Sequence, residues 1–208
     1  MTLGDTDHGG TYRERIEEAI VRHRADLDRD LHTFEGHAAI VAQIATALVA
    51  ALRGDHTVLL AGNGGSAAEA QHFSAELVGR YKRERRPYAA IALSTDTSII
   101  TAIGNDYSYD QIFERQVQAL GRPGDVLVAL STSGESRNLV RAAEAARQQG
   151  VTVVAVTGPG ESTLSGMADL ALCAPGADTA TVQEMHMIFT HLVCDLVEAE
   201  MVAGEVGV

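Results

Sequence analysis

The sequence predicts an α/β fold: a doubly wound, five-stranded parallel sheet preceded by two helices. Three observations lead there. From Thr57 onward the chain repeats one unit, a short apolar run, a small polar turn and a helical segment, and that alternation builds a parallel sheet with helices on both faces. Hydrophobic residues make up 46% of the chain, aromatics only 4%, and Trp is absent. The core must therefore be Ala, Val, Ile and Leu, which suits strands buried on both sides. No low-complexity tract or linker divides the 208 residues, so one domain is expected.

Residues 1–10 are polar and glycine-containing. They are expected to be a disordered start and do not read as a signal peptide. Tyr12 to Phe34 reads as a helix, with Ile16, Ile20, Leu27, Leu31 and Phe34 on one stripe and Arg, Asp and Glu opposite. Gly36 breaks it, and His37 to Arg53 forms a second helix. Residues 11–56 are thus a helical pair that covers the sheet or serves a subunit interface; the sequence does not choose. Residues 57–202 form the sheet domain and 203–208 a tail.

The strand runs are Thr57–Ala61, Ala89–Leu93, Val126–Leu130, Val151–Val156 and Leu170–Cys173. The helical segments between them are Ser66–Tyr81, Thr97 to about Leu120 with a break at Gly104, Ser136–Gln149, and a short one near Ser162–Ala168. The last helix, about Thr181 to Met201, carries a core stripe from Val182 to Val197 in which Gln183, His186 and His191 are embedded. Either histidine could be an ordinary buried side chain. Right-handed crossovers place all strand-to-helix turns along one edge, where such sheets bind ligands.

The formal net charge of −12 argues against nucleic acid as a partner. An anionic substrate would need helix starts or isolated Arg residues. Cys173 and Cys194 have no CxxC spacing and read as reduced core residues of a cytoplasmic protein. No apolar run approaches membrane-spanning length.

Two turns carry chemistry. The first is Gly62-Asn63-Gly64-Gly65-Ser66 between an apolar run and a helix. Glycines admit close backbone approach, and the helix start offers free N–H groups to an anion. His72 and Glu76 follow four residues apart on one helix face, a spacing suited to proton transfer or to a metal. The turn also fits the G-x-G-x-x-A dinucleotide fingerprint, but the acid at the end of the next strand, Asp96, lies too far along. A Walker loop fails because no Lys-Ser/Thr follows. His72 alone could be a plain polar helix residue. The second turn is Ser131-Thr132-Ser133-Gly134-Glu135-Ser136, followed by Arg137-Asn138. Hydroxyls and free N–H groups can saturate a phosphate without a positive charge. An N-cap role would explain Ser136, but four hydroxyls exceed what capping needs.

GNGGSAAEAQHF, STSGES, the Asn105-Asp106 pair and the late QEMH with His191 resemble the sugar isomerase (SIS) family, and within it the sedoheptulose 7-phosphate isomerases of heptose biosynthesis. The similarity runs from about Arg15 to Met201. STSG marks the wider family; GNGG with His72 and Glu76, plus Gln183 and His191, is more specific. The resemblance implies a flavodoxin-like SIS sandwich and a homotetramer with active sites at subunit contacts. It implies that Asn63, Gly64, Gly65, Glu76, Asn105, Asp106 and Gln183 touch the sugar phosphate, and that Ser131, Thr132, Ser133 and Ser136 hold its phosphate. Glu76 and His191 become the acid/base pair, and His72, Glu76, Gln183 and His191 a zinc (Zn2+) site.

The chemistry is coherent: moving a proton between neighbouring carbons through an enediol needs one group to take it and another to protonate the carbonyl oxygen. Two tensions remain. A carboxylate bound to zinc is a poorer base. Gln183 and His191 are eight residues apart, about 12 Å along a helix, so they share an ion only if the helix start is loosened or the ligands come from different chains. Gly158-Pro159-Gly160 is shorter than the glycine-rich loop expected there, outside the site. A second reading is a non-catalytic SIS module, similar to a replication-initiator-associating relative that lacks the carboxylate and the late histidine; this chain has both.

Overall fold

A computed structural model describes residues 11–205. The expected disordered start (residues 1–10) and the end of the expected tail (residues 206–208) lie outside the described residues. Five strands form one all-parallel sheet: β1 (Val58–Gly62), β2 (Ala90–Ala92), β3 (Val126–Ser131), β4 (Thr152–Thr157) and β5 (Leu170–Cys173). Their spatial order is β2-β1-β3-β4-β5, so the winding reverses between β1 and β3, where Gly62 pairs with Leu130. A crevice opens at such a switch point, outside the carboxyl ends of the strands.

The period-two alternation of the strands sorts the core into two layers. Val58 and Leu60 of β1, Val126, Val128 and Leu130 of β3, and Val154 and Val156 of β4 point to one face. There they meet α2 (Ala38–Arg53), α3 (Gly65–Val78) and α8 (Thr179–Glu205) through Ile44, Leu48, Phe73 and Phe189. Leu59, Ala61, Leu127, Ala129, Val153 and Ala155 point the other way, onto α5 (Glu114–Leu120) and α6 (Arg137–Gln148). Ala142, Ala143, Ala145 and Ala146 of α6 are buried, and their small side chains bring its axis close to the sheet. The expected α/β fold and its five parallel strands are thus present.

Helix α1 (Tyr12–Glu35) begins with a capping box between Thr11 and Glu14. Its predicted apolar stripe splits. Phe34 is buried and Leu27 packs against the core, but Ile16 and Ile20 are 58% and 61% exposed. Helix α2 covers the sheet; the N-terminal part of α1 leaves an apolar face uncovered.

Most element boundaries shift by a residue or two from expectation, and three of the differences have a clear physical reason. Helix α3 ends at Val78, not Tyr81, because Gly79 departs from helical geometry. Helix α4 (Thr97–Asp106) runs straight through Gly104 and breaks at Tyr107. An exposed helix tolerates one glycine at a cost of about 1 kcal/mol. The stop comes instead from the polar Asn105-Asp106-Tyr107-Ser108 run, where the Asn105 amide donates to Asp106 at 2.8 Å. A 3-10 turn at Tyr109–Gln111 then leads into α5. Finally, α8 continues to Glu205, so residues 203–205 are helix rather than tail. Helix α7 (Thr163–Met167) is the short connector expected there. Among the described residues, no single helix is long and apolar enough to cross a membrane.

Candidate active site

Both predicted turns sit at the switch point and enclose one cavity of about 210 Å³. Its walls include Asn63, Gly65, Ser131, Thr132, Ser133, Ser136 and Gln183, with no Lys or Arg among them. The first turn of α3, the Ser136 cap of α6 and Thr179 at the start of α8 all face it. Three helix starts thus converge on one space, each with unpaired N–H groups and a partial positive charge. That is how an acidic chain can hold an anion without a cation of its own.

The turns are shaped by their small residues. Gly64 and Gly134 have φ of +55° and +65°, where side chains are strained. A Cβ on Gly65 would collide with the Gln183 amide, so glycine lets α8 close on the start of α3. The Ser131 hydroxyl accepts the Gly134 N–H at 3.1 Å, and the Ser133 hydroxyl accepts the Glu135 N–H at 3.2 Å. Ser136 occupies the N-cap of α6 yet makes no side-chain cap bond. Capping therefore does not account for its hydroxyl, which instead lies 3.4 Å from the Ser131 hydroxyl at the edge of the cavity.

The Asn63 side chain is held in a small network. It exchanges two hydrogen bonds with the buried Asn138 amide, at 2.9 and 2.8 Å, and its oxygen also accepts the Tyr109 hydroxyl at 3.0 Å. With that oxygen doubly occupied, Asn63 has one amide N–H left to donate. Tyr109 and the positioning part of Asn138 were not evident in the sequence. An aromatic in the turn after α4 was the available signal.

A second cluster lies further along the α3–α8 seam, where Phe73 and Phe189 pack edge to face at 6.3 Å. His72 Nε2 is 3.0 Å from His191 Nε2 and 3.4 Å from Glu76 Oε1. Ligands on a tetrahedral zinc ion at roughly 2.0–2.1 Å sit about 3.3 Å apart. Two imidazoles and a carboxylate with those edges fit such an ion, and each side chain is only partly buried. The Tyr81 ring stacks on His191, 5.3 Å between centroids and 18° between planes. Nearby Cys194 is buried; burial first, then Glu76 and Glu198, push its thiol far up, so it stays protonated and is a poor ligand.

Other candidates fall elsewhere. Gln183 is in the regular part of α8, against Gly65. The loosened helix start that would bring it to His191 is absent, and the two remain about 12 Å apart along one axis. Ser66 and Glu76 are ten residues apart on α3, about 15 Å. One chain thus carries the hydroxyl cavity and the His–Glu–His cluster at two places along the α3–α8 seam, with Ser66 and His72 about 9 Å apart along α3. Asn105 and Asp106 are exposed at the end of α4 and bonded to each other rather than to the cavity. His186 is the ordinary buried histidine considered above. It lies against the Thr157 carbonyl at 3.1 Å through Nε2, with Nδ1 3.5 Å from Glu69.

The five-stranded 2-1-3-4-5 sheet carries a serine-rich cavity at its switch point, and the SIS domain model matches residues 24–158, so the chain is of the SIS type. The phosphoheptose isomerase of Bordetella avium is 56% identical over 155 residues, 73% of this chain and 79% of its own. That of Streptomyces coelicolor is 48% identical over 192 residues, 92% of this chain and 83% of its own. The solved phosphoheptose isomerase from Neisseria gonorrhoeae superposes with a TM-score of 0.83 at 41% identity, covering 88% of this chain and 99% of that one. The chain belongs to the phosphoheptose isomerases of the SIS family.

Proposed function

We propose that the protein converts sedoheptulose 7-phosphate to D-glycero-D-manno-heptose 7-phosphate by enediol proton transfer, at the head of nucleotide-activated heptose synthesis in the cytoplasm. The observation that carries the reading is the meeting of Glu76 and His191 around His72 on a SIS fold, residues brought together from α3 and α8. In this reading Ser131, Thr132, Ser133 and Ser136 hold the phosphate, with the N–H groups of Gly64 and Gly65 and the spare amide N–H of Asn63 beside them. Asn105 and Asp106 bind hydroxyls of the sugar. Glu76 takes the C-1 proton, and His191 passes a proton to the carbonyl oxygen. A zinc ion held by His72, Glu76 and His191 would supply Lewis-acid polarisation of that carbonyl. The same juxtaposition supports catalysis over a purely sugar-phosphate-binding role. Incubating the purified protein with sedoheptulose 7-phosphate and resolving the sugars tests it: the aldose should appear, and its absence with or without added zinc would end the proposal.

The spacing of the hydroxyl cavity and the His–Glu–His cluster along the α3–α8 seam supports a shared site, with one copy giving the hydroxyl cavity and Gln183, and another giving His72, Glu76 and His191. The uncovered face of α1, with Ile16 and Ile20, supports assembly into a homotetramer. Light scattering at micromolar concentration should give four times the chain mass. Mixing the Glu76→Gln protein with the Ser131→Ala/Ser133→Ala protein and allowing subunits to exchange should restore part of the activity at a sugar-phosphate concentration near the wild-type KM, where neither variant alone turns over appreciably, since some contacts then pair two intact halves. A monomer, or no recovery in verified hybrids, would contradict the shared site.

A further inference from the structure

We propose that the buried Arg85–Glu198 pair is a positioning element that holds Glu76 and His191 in register for proton transfer. The claim rests on the acid/base reading given above. The segment between α3 and β2 is rich in charge, running Arg80-Tyr81-Lys82-Arg83-Glu84-Arg85-Arg86, and would ordinarily be a solvated loop. Arg85 instead turns inward. Its side chain and that of Glu198 on α8 are each only 1% exposed, 3.1 Å apart.

Each member reaches one half of the catalytic pair. Glu198 accepts the N–H groups of Tyr81 at 2.6 Å, Lys82 at 2.8 Å and Arg83 at 2.9 Å. Together with Arg85 Nε this occupies both carboxylate oxygens. Those bonds fix the backbone of Tyr81, whose ring lies on His191; His191 itself is seven residues before Glu198 on the same side of α8. Arg85 in turn donates through Nη2 to the Glu76 carbonyl at 2.7 Å, and through Nη1 to the carbonyls of Leu77 and Gly79. It thereby closes the last turn of α3, whose carbonyls have no partners within the helix. One ion pair thus joins the backbone that carries the carboxylate to the ring that braces the imidazole.

Stability alone is a weak reason for such a pair, because the cost of removing both charges from water about cancels their attraction. Burial would raise the Glu198 carboxyl, but the N–H groups of Lys82, Tyr81 and Arg83, with Arg85, hold it below the usual carboxylate range. The ionised form is the one this geometry selects. Outer groups that orient metal or proton-transfer residues typically affect affinity or activity by about 10–100-fold when removed.

The test uses three variants: Glu198→Gln, the paired apolar replacement Arg85→Met/Glu198→Leu, and Tyr81→Leu. The paired replacement leaves no lone buried charge and guards against simple unfolding. Folding is verified by thermal melting for each. For the folded variants, kcat should fall about 10–100-fold and the zinc dissociation constant, from chelator competition, should rise by a similar factor. KM for the sugar phosphate should stay within about threefold, because the hydroxyl cavity lies about 15 Å away along α3. The His191 ring resonances of the zinc-free protein should lose the shift caused by stacking on Tyr81. A folded paired variant with wild-type kcat, zinc affinity and His191 resonances would overturn the proposal. Equal losses in KM and kcat would also overturn it, by showing a general structural effect. If the wild type isomerises nothing, the function proposed above fails, while the His191 resonances still decide whether the pair positions that ring.

Discussion

Glu76→Gln is expected to abolish detectable turnover while leaving sugar-phosphate binding within about tenfold of wild type. Gln keeps the length and hydrogen-bonding outline of Glu but cannot take a proton. Its target is specific: Glu76 sits on α3 one turn beyond His72, with its carboxylate 3.4 Å from the imidazole and only partly buried, so a substrate can reach it. Losing a general acid or base costs about 10²–10⁴-fold, and His191→Gln should cost a comparable factor. If the two act as a unit, the double variant should be little worse than either single one. Saturating zinc in the assays separates loss of the base from loss of a ligand. Full activity in Glu76→Gln would keep the isomerase but move its base elsewhere.

The second large effect is expected at the phosphate. Ser131→Ala with Ser133→Ala should raise KM at least about 100-fold, since each hydrogen bond to a charged group contributes about 1.5–3 kcal/mol. The structure adds a reason beyond direct contact. Ser131 and Ser133 also accept the Gly134 and Glu135 N–H groups, so removing both hydroxyls loosens the turn that aims the start of α6 at the cavity. The melting temperature should change little, because the bulk of the core lies below this edge of the sheet. An unchanged KM would remove this loop from the site.

Much of the architecture is legible in the chain because a buried parallel strand must be an apolar run, and each run here is followed by small polar residues and a helix. Boundaries are less legible where a side chain from far away decides them. Helix α3 stops at Val78 with its last carbonyls taken by Arg85, and nothing in RYKRERR marks which arginine turns inside. Gly104 looks like a break, yet exposed α4 absorbs it and ends at the polar run behind it. The site divides in the same way. His72 and Glu76 announce themselves by spacing on one helix, and the eight-residue gap from Gln183 to His191 already signals that the two share an ion only with a loosened helix start or with ligands from different chains. The stack of Tyr81 on His191 and the hold of Tyr109 and Asn138 on Asn63 depend on tertiary contacts between distant segments. Local pattern does not encode them.

The central claim is proton transfer at the His72–Glu76–His191 cluster, and solvent isotope incorporation tests it most directly. Sedoheptulose 7-phosphate is incubated with the zinc-loaded protein in deuterated water, and C-2 of the aldose product is examined by NMR. A base that exchanges its proton with solvent during the enediol's lifetime places deuterium there. The wild type should give deuterated product, and Glu76→Gln neither product nor exchange into the ketose. Aldose formed at full rate by Glu76→Gln, or exchange that persists in that variant, would contradict the account.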